Sequence, residues 1–196
     1  MSDGTNSAPT KGRETRLAAS LVILGALARL IPHPANFTPV GGMSLLAGAR
    51  LRGWHAYAIP LLLMAATDPL LSMATGFSAF NQATPFIYAS FLINVWIGRR
   101  FLQGSRSPGR IALAATVGSV QFFVITNAVW FQIGGTYPHT WAGFLASYVA
   151  GLPFFGRTLS GDLAYTGLLF GLHEWLSRRA PIATRNVVAA SESRAS

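Results

Sequence analysis

Apolar residues in this chain gather into long runs separated by short polar or basic joints, and the pattern continues through most of its 196 residues. Runs with so few internal charges predict membrane-spanning helices, each needing about 20 apolar residues to cross the hydrocarbon layer. The expected helices lie near 16–31, 38–51, 54–75, 82–101, 110–131 and 157–177, with a seventh, shallower one near 140–152. The 38–51 segment is short for a span, which implies tilt or a re-entrant path. Residues 1–15, MSDGTNSAPTKGRET, are polar and lack the apolar stretch of a signal peptide. They read as a disordered tail, as does 179–196. The predicted fold is all-α: a polytopic integral membrane bundle over 16–178, with six transmembrane helices plus a short external or re-entrant helix.

Composition supports this pattern. Hydrophobic residues make up 51% of the chain and charged ones 11%, against about a quarter charged in water-soluble domains. The net charge of +9 fits either nucleic acid or basic cytoplasmic loops, and the positions of the charges choose the second. With the N-terminus in the cytoplasm, Lys11, Arg13 and Arg16 fall inside, followed by Arg50 and Arg52. Arg99, Arg100, Arg106 and Arg110 join them in the next joint, and Arg178, Arg179, Arg185 and Arg194 follow the last helix. Only Arg29 and Arg157 fall on the other face. So strong a bias places both termini in the cytoplasm and accounts for the basic charge without nucleic acid.

Each ionised group inside the bilayer costs at least about 2.5–3.5 kcal/mol, so the few present are informative. Asp68 lies in the third helix, in LLLMAATDPLL, and Asp162, His173 and Glu174 lie in or near the last. Asp68 has two readings: a carboxylate bonded to backbone N–H groups freed where Pro69 breaks the helix, or a ligand or ion-pair group. Glu174 reads as an interfacial partner of Arg178 at i,i+4. Helical spacing places Asn81, Thr84 and Tyr88 on one stripe. Thr116, Ser119 and Asn127 form a second, and Asp162, Tyr165 or Thr166, and His173 a third. Such stripes either line a polar cavity or supply interhelical hydrogen bonds, the latter being routine in membranes.

The external joints carry the more unusual chemistry. IPHPANFTPVGG (31–42) combines three prolines and two glycines with His33 and Asn36, which makes a shaped loop. TNAVWFQIGGTYPHTWAGF (126–144) holds Trp130, Tyr137, His139 and Trp141, either an interfacial aromatic belt or a lid over an outward-opening cavity. GFSAFNQATPF (76–86) is a third, uncharged joint. With no cysteine, thiolate metal sites and cysteine nucleophiles are excluded. No HExxH, GxSxG, Walker A or GxGxxG motif occurs, so no catalytic residue, metal site or cofactor is expected.

Three blocks carry a resemblance: RLIPHPANFTPVGGMSLLAGARL; TDPLL followed by PFIYASFLINVWIG; and NAVWF with YPHTWAGFLASYVAGLPFFGRTLSGDLAYTGLLFG. Over about residues 16–176 the chain resembles small bacterial membrane transport proteins related to the substrate-binding (S) components of energy-coupling-factor transporters, with BtuM-like cobalamin transporters nearby. The resemblance implies a bacterial inner-membrane bundle whose vitamin-sized cavity is capped by the three external loops. It implies ligand contacts from His33 and Asn36 of the first loop block, Asp68, Tyr88, Arg157 of PFF-x-R, and Asp162, with Tyr137 in the aromatic loop. Cobalamin or a related corrinoid fits: its ring suits aromatic contact, and its amides and phosphate suit Tyr, Asp and Arg. Two departures stand out. BtuM-like proteins use a cysteine as cobalt ligand, whereas here His33 is at most a substitute. The first helix, RLAASLVILGALARL, lacks the Ala-x-x-x-Ala spacing with which S components dock to a shared energising module, leaving solitary operation open. The expected function is uptake of a vitamin- or cofactor-like solute from the external side. The alternative is a non-transporting membrane scaffold or assembly subunit.

Overall fold

A computed structural model describes residues 8–76 and 78–179, with the backbone alone over 8–11. Among the described residues the chain forms six α-helices and no strand. These are α1 (Ala8–Ala28), α2 (Val40–Arg50), α3 (His55–Thr75), α4 (Thr84–Phe101), α5 (Pro108–Ile133) and α6 (Trp141–Arg179). Two of them, α3 and α5, are long and apolar enough to cross a membrane.

Two expectations change. The first helix begins at Ala8, so residues 8–15 of the expected N-terminal tail are helical; the tail expected from residue 180 onward lies outside the described residues. The expected seventh helix near 140–152 is the first part of α6, which runs unbroken for 39 residues, about 58 Å at the usual rise. Pro153 sits inside it without ending it. The short 38–51 segment holds an 11-residue helix, about 17 Å long, at the centre of the bundle.

That central position follows from composition. Every residue of α2 from Val40 to Ala49 is buried, and α2 touches each of the other five helices. Small residues permit this. A Cβ at Gly48 would collide with the Val95 carbonyl of α4, and one at Gly98 with the Leu45 carbonyl of α2, so the two backbones cross in direct contact. Gly42 meets the backbone of Thr166 in the same way. The stretch before α2 is also packed inside, with Gly161 of α6 against the backbone of Phe37 and Thr38.

Local signals set the helix ends. The Ser107 hydroxyl caps α5 by accepting from Arg110 N–H, and Pro108 follows at the first helical position. Gly76, at φ 76°, closes α3 in the left-handed conformation and donates to Ser72 O. Asn81 and Thr84, expected on one stripe with Tyr88, brace the start of α4 and line a cleft together with Tyr88. Asn81 N–H donates to Thr84 Oγ1 at 2.9 Å, and Ala83 N–H to Asn81 Oδ1 at 2.9 Å.

The basic joints meet at one end of the bundle. Arg50 donates to Leu102 O at 2.9 Å and Ser105 O at 2.6 Å, Arg99 to Gly53 O, Arg110 to Phe101 O, and Arg13 to Leu176 O. Glu174 pairs with Arg178 at 2.7 Å, the expected i,i+4 contact, and with Arg106 at 3.1 Å. The loops 29–39, 76–83 and 134–140 join helices at the other end.

Candidate functional site

Away from the basic end, polar chemistry concentrates in three places. The first is a clamp joining α1, α3 and α4. Arg29 Nη2 lies 2.7 Å from Asp68 Oδ1, both side chains nearly buried, and Tyr88 Oη donates to Asp68 Oδ2 at 2.5 Å. Arg29 Nη1 donates to Thr67 Oγ1 at 2.8 Å, and Thr67 in turn donates to Leu63 O. Asp68 is thus an ion-pair group: its oxygens meet a guanidinium and a phenol rather than backbone freed by Pro69. A cleft of about 230 Å³ flanks the clamp.

The second is a cleft of about 400 Å³ between α5 and α6, reached also by Ile87 of α4 and Asn36 of the first loop. Its aromatic walls include Phe122, Trp130 and Tyr137, and its polar groups include Thr126, Asn127 and Ser147. Gly151 allows α6 to come this close, since a Cβ there would press on Asn127 Oδ1 and the Phe123 ring. Rings continue along the hairpin through Phe123–Tyr148, Phe123–Phe155 and Phe131–Phe144. Asn36 reaches the cleft from a turn in which Phe37 N–H donates to Pro34 O, with Asn36 at φ 67°. A residue at positive φ in the third position is the mark of a type II turn, where Asn substitutes for Gly.

The third is Asp162, 5% exposed, on the inner face of α6. Ser119 Oγ donates to its Oδ2 at 2.6 Å, and Gly41 of α2 lies against its carboxylate so closely that a Cβ would overlap it. Among the described residues Asp162 has no ion-pair partner.

The expected ligand residues therefore do not converge. Asp68 and Tyr88 meet each other in the clamp, Asn36 and Tyr137 share the large cleft, and Asp162 is buried apart from both. His33 lies in the first loop, its Nδ1 2.8 Å from Ile31 O. Arg157 is exposed on α6 and does not line the large cleft. Of the other stripe members, Thr116 and Asn127 bond their own helix at Ala112 O and Phe123 O, while His173 Nε2 lies 3.3 Å from Glu14 O. Residue spacing did not single out Phe122, Phe123, Thr126 or Ser147 as cleft lining. The i, i+3, i+4 recurrence of Phe123, Thr126 and Asn127 on α5 is the signal that could have found this face.

A family model matches residues 10–184, nearly the whole chain. The chain belongs to DUF6580, a family of unknown function. No curated protein and no solved structure matches it. The match of this DUF6580 member takes in all three polar sites, the clamp, the large cleft and Asp162, within one family-wide unit.

Proposed function

We propose that this DUF6580 member is an inner-membrane uptake protein that binds a vitamin- or cofactor-like solute in the cleft between α5 and α6, from the side opposite its basic end. Large apolar side chains stand exposed on each of the five outer helices, among them Leu24, Leu62, Trp96, Leu113 and Leu168, as a lipid-facing surface requires. Within the apolar core, Ser44, Asn94, Ser119, Asp162 and Thr166 are also buried. Six crossings follow if α2 and the packed stretch before it together make the second, because irregular backbone is tolerated at membrane depth where protein surrounds it. The clustered arginines then face the cytoplasm, as do both termini.

The observation that carries the reading is the cleft itself. A volume of about 400 Å³ falls within the range of small-molecule sites, and an apolar wall with a few fixed polar groups is their usual lining. Trp130 and Tyr137 suit the face of a flat ring, while Asn127, Thr126 and Asn36 suit its hydrogen-bonding edge. A corrinoid would seat only part of itself there; a smaller flat cofactor would enter whole. Asp68 and Tyr88 position helices in this reading, and Asn36 and Tyr137 contact the solute.

The test is mass spectrometry and visible absorption of whatever accompanies the protein purified in mild detergent. A near-stoichiometric small molecule, lost in an Asn127→Leu variant that keeps its fold, is expected. A ligand-free protein that also fails to bind added corrinoids and flat vitamins contradicts it. One observation favours a second reading, a non-transporting assembly subunit: both Asp68 oxygens are engaged within the chain, by Arg29 and by Tyr88. In that case Asn127→Leu changes nothing measurable.

A further inference from the structure

The α5–α6 seam is open at both ends and closed in the middle. On one side of Asp162 the large cleft reaches Phe122 and Thr158, one turn from Ser119 and Asp162 respectively. On the other, a pocket of about 300 Å³ opens among Arg50, Arg106 and Glu174 at the basic end and reaches Ala115 and Thr166, again one turn away. The Ser119–Asp162 pair is the septum between them.

We infer that Asp162 is a proton-carrying carboxylate at this septum, taking a proton from water in one half-cleft and releasing it to water in the other. This rests on the uptake reading above and supplies its energy source. The hydrogen bonds suit both protonation states. Ser119 Oγ has two acceptors in reach, Asp162 Oδ2 at 2.6 Å and Ala115 O at 3.0 Å. With Asp162 ionised, the serine O–H donates to the carboxylate. With Asp162 protonated, the acid O–H donates to Ser119 Oγ, and the serine O–H turns to Ala115 O. The Ser119 hydroxyl thus keeps a donor role and the Asp162–Ser119 contact in either state. The buried Thr166 Oγ1, one turn along α6, has no partner and adjoins the inward pocket, where it can hold the water that receives the proton.

No counter-charge fixes the carboxylate in one state. The surfaces that touch it are Gly41 of α2 and Ser119 of α5. The titratable group on α2 is Arg50 at its far end, and on α5 Arg110 in its first turn. The stretch before α2 carries His33 in the outer loop; α1, packed lower on α6 through Gly25, carries Arg13, Glu14 and Arg16 toward the basic end, and Arg29 just past its last residue is held by Asp68. α4, separated from Asp162 by α5, carries Tyr88 in the clamp and Arg99 and Arg100 at the basic end. On α6 itself, Arg157 is exposed, Tyr165 packs on Phe37, and His173, Glu174, Arg178 and Arg179 lie toward the basic end. Ionisable groups at membrane depth mark substrate, ion and proton pathways.

The full-length chain, reconstituted in sealed liposomes with the internal and external pH set separately, is treated with dicyclohexylcarbodiimide, which adds to protonated carboxyls in apolar surroundings. Peptide mapping then locates the adduct. Asp162 should be modified, at a rate rising by up to about tenfold per unit fall in pH, in response to pH on either side, while ion-paired Asp68 stays unmodified. Asp162→Asn should fold and lose the adduct. No adduct at Asp162, a pH-independent rate, or a response to one side alone would each overturn the proposal. The readout needs no solute, so a protein that binds none but shows the two-sided response contradicts only the uptake reading.

Discussion

Asp68 and Asp162 are the two helix carboxylates that lie away from the basic end among the described residues, and their surroundings differ in nearly every respect. Asp68 meets Arg29 at 2.7 Å and the Tyr88 hydroxyl at 2.5 Å, so three helices are pinned by one carboxylate. Asp162 meets a serine hydroxyl and a glycine, with no cation against it. The cost of removing water from a charge is offset at Asp68 by a full set of partners and left largely uncompensated at Asp162. A charge so compensated holds architecture. One left single is free to change its state, and it sits where the two half-clefts nearly meet.

Substitutions should separate the two sites by magnitude. The largest loss is expected from Asp68→Ala, which leaves Arg29 buried without its partner, at a cost of about 3–5 kcal/mol. A fall in melting temperature in detergent would read it, and replacing Arg29 and Asp68 together by apolar residues should recover most of the loss. Gly41→Ala comes next, since the added methyl overlaps the Asp162 carboxylate and must displace it; about 1–3 kcal/mol is expected. Tyr88→Phe removes one hydrogen bond to a charged group, worth about 1.5–3 kcal/mol at most, and should leave occupancy of the large cleft unchanged. Asp162→Asn is expected to change stability by less than about 1 kcal/mol, because the amide still accepts from Ser119. If Asp162→Asn unfolds the protein while Asp68→Ala does not, the contrast drawn between the two acids is reversed.

Much of this was legible in the residues before any coordinates. The runs of apolar residues placed α3, α4 and α5 close to their final bounds, and the i,i+4 spacing paired Glu174 with Arg178. The four basic segments, two inter-helix joints and the outer ends of α1 and α6, meet at one end, as their charge pattern suggested. Separate helices were expected near 140–152 and 157–177, yet α6 runs through Pro153 without a break, packed along α5. The clamp was hidden because Arg29 and Asp68 lie on different helices, and no spacing rule links residues so far apart. Both were conspicuous as charges in apolar runs, but their pairing is a tertiary fact. The cleft was hidden for the same reason: Asn36 and Tyr137 belong to different loops, and its floor depends on Gly151 letting α6 approach Asn127.

The central claim, that the aromatic cleft and the arginine cluster face opposite sides of a membrane, is open to one direct measurement. The chain has no cysteine, so single cysteines can be placed on an otherwise silent background. Thr136→Cys beside the cleft and Gln103→Cys at the basic end, both exposed positions, would be treated with a membrane-impermeant maleimide in intact cells and again after permeabilisation. The account predicts that position 136 reacts in intact cells and position 103 only once the membrane is opened. Reaction of both from the same side would contradict it.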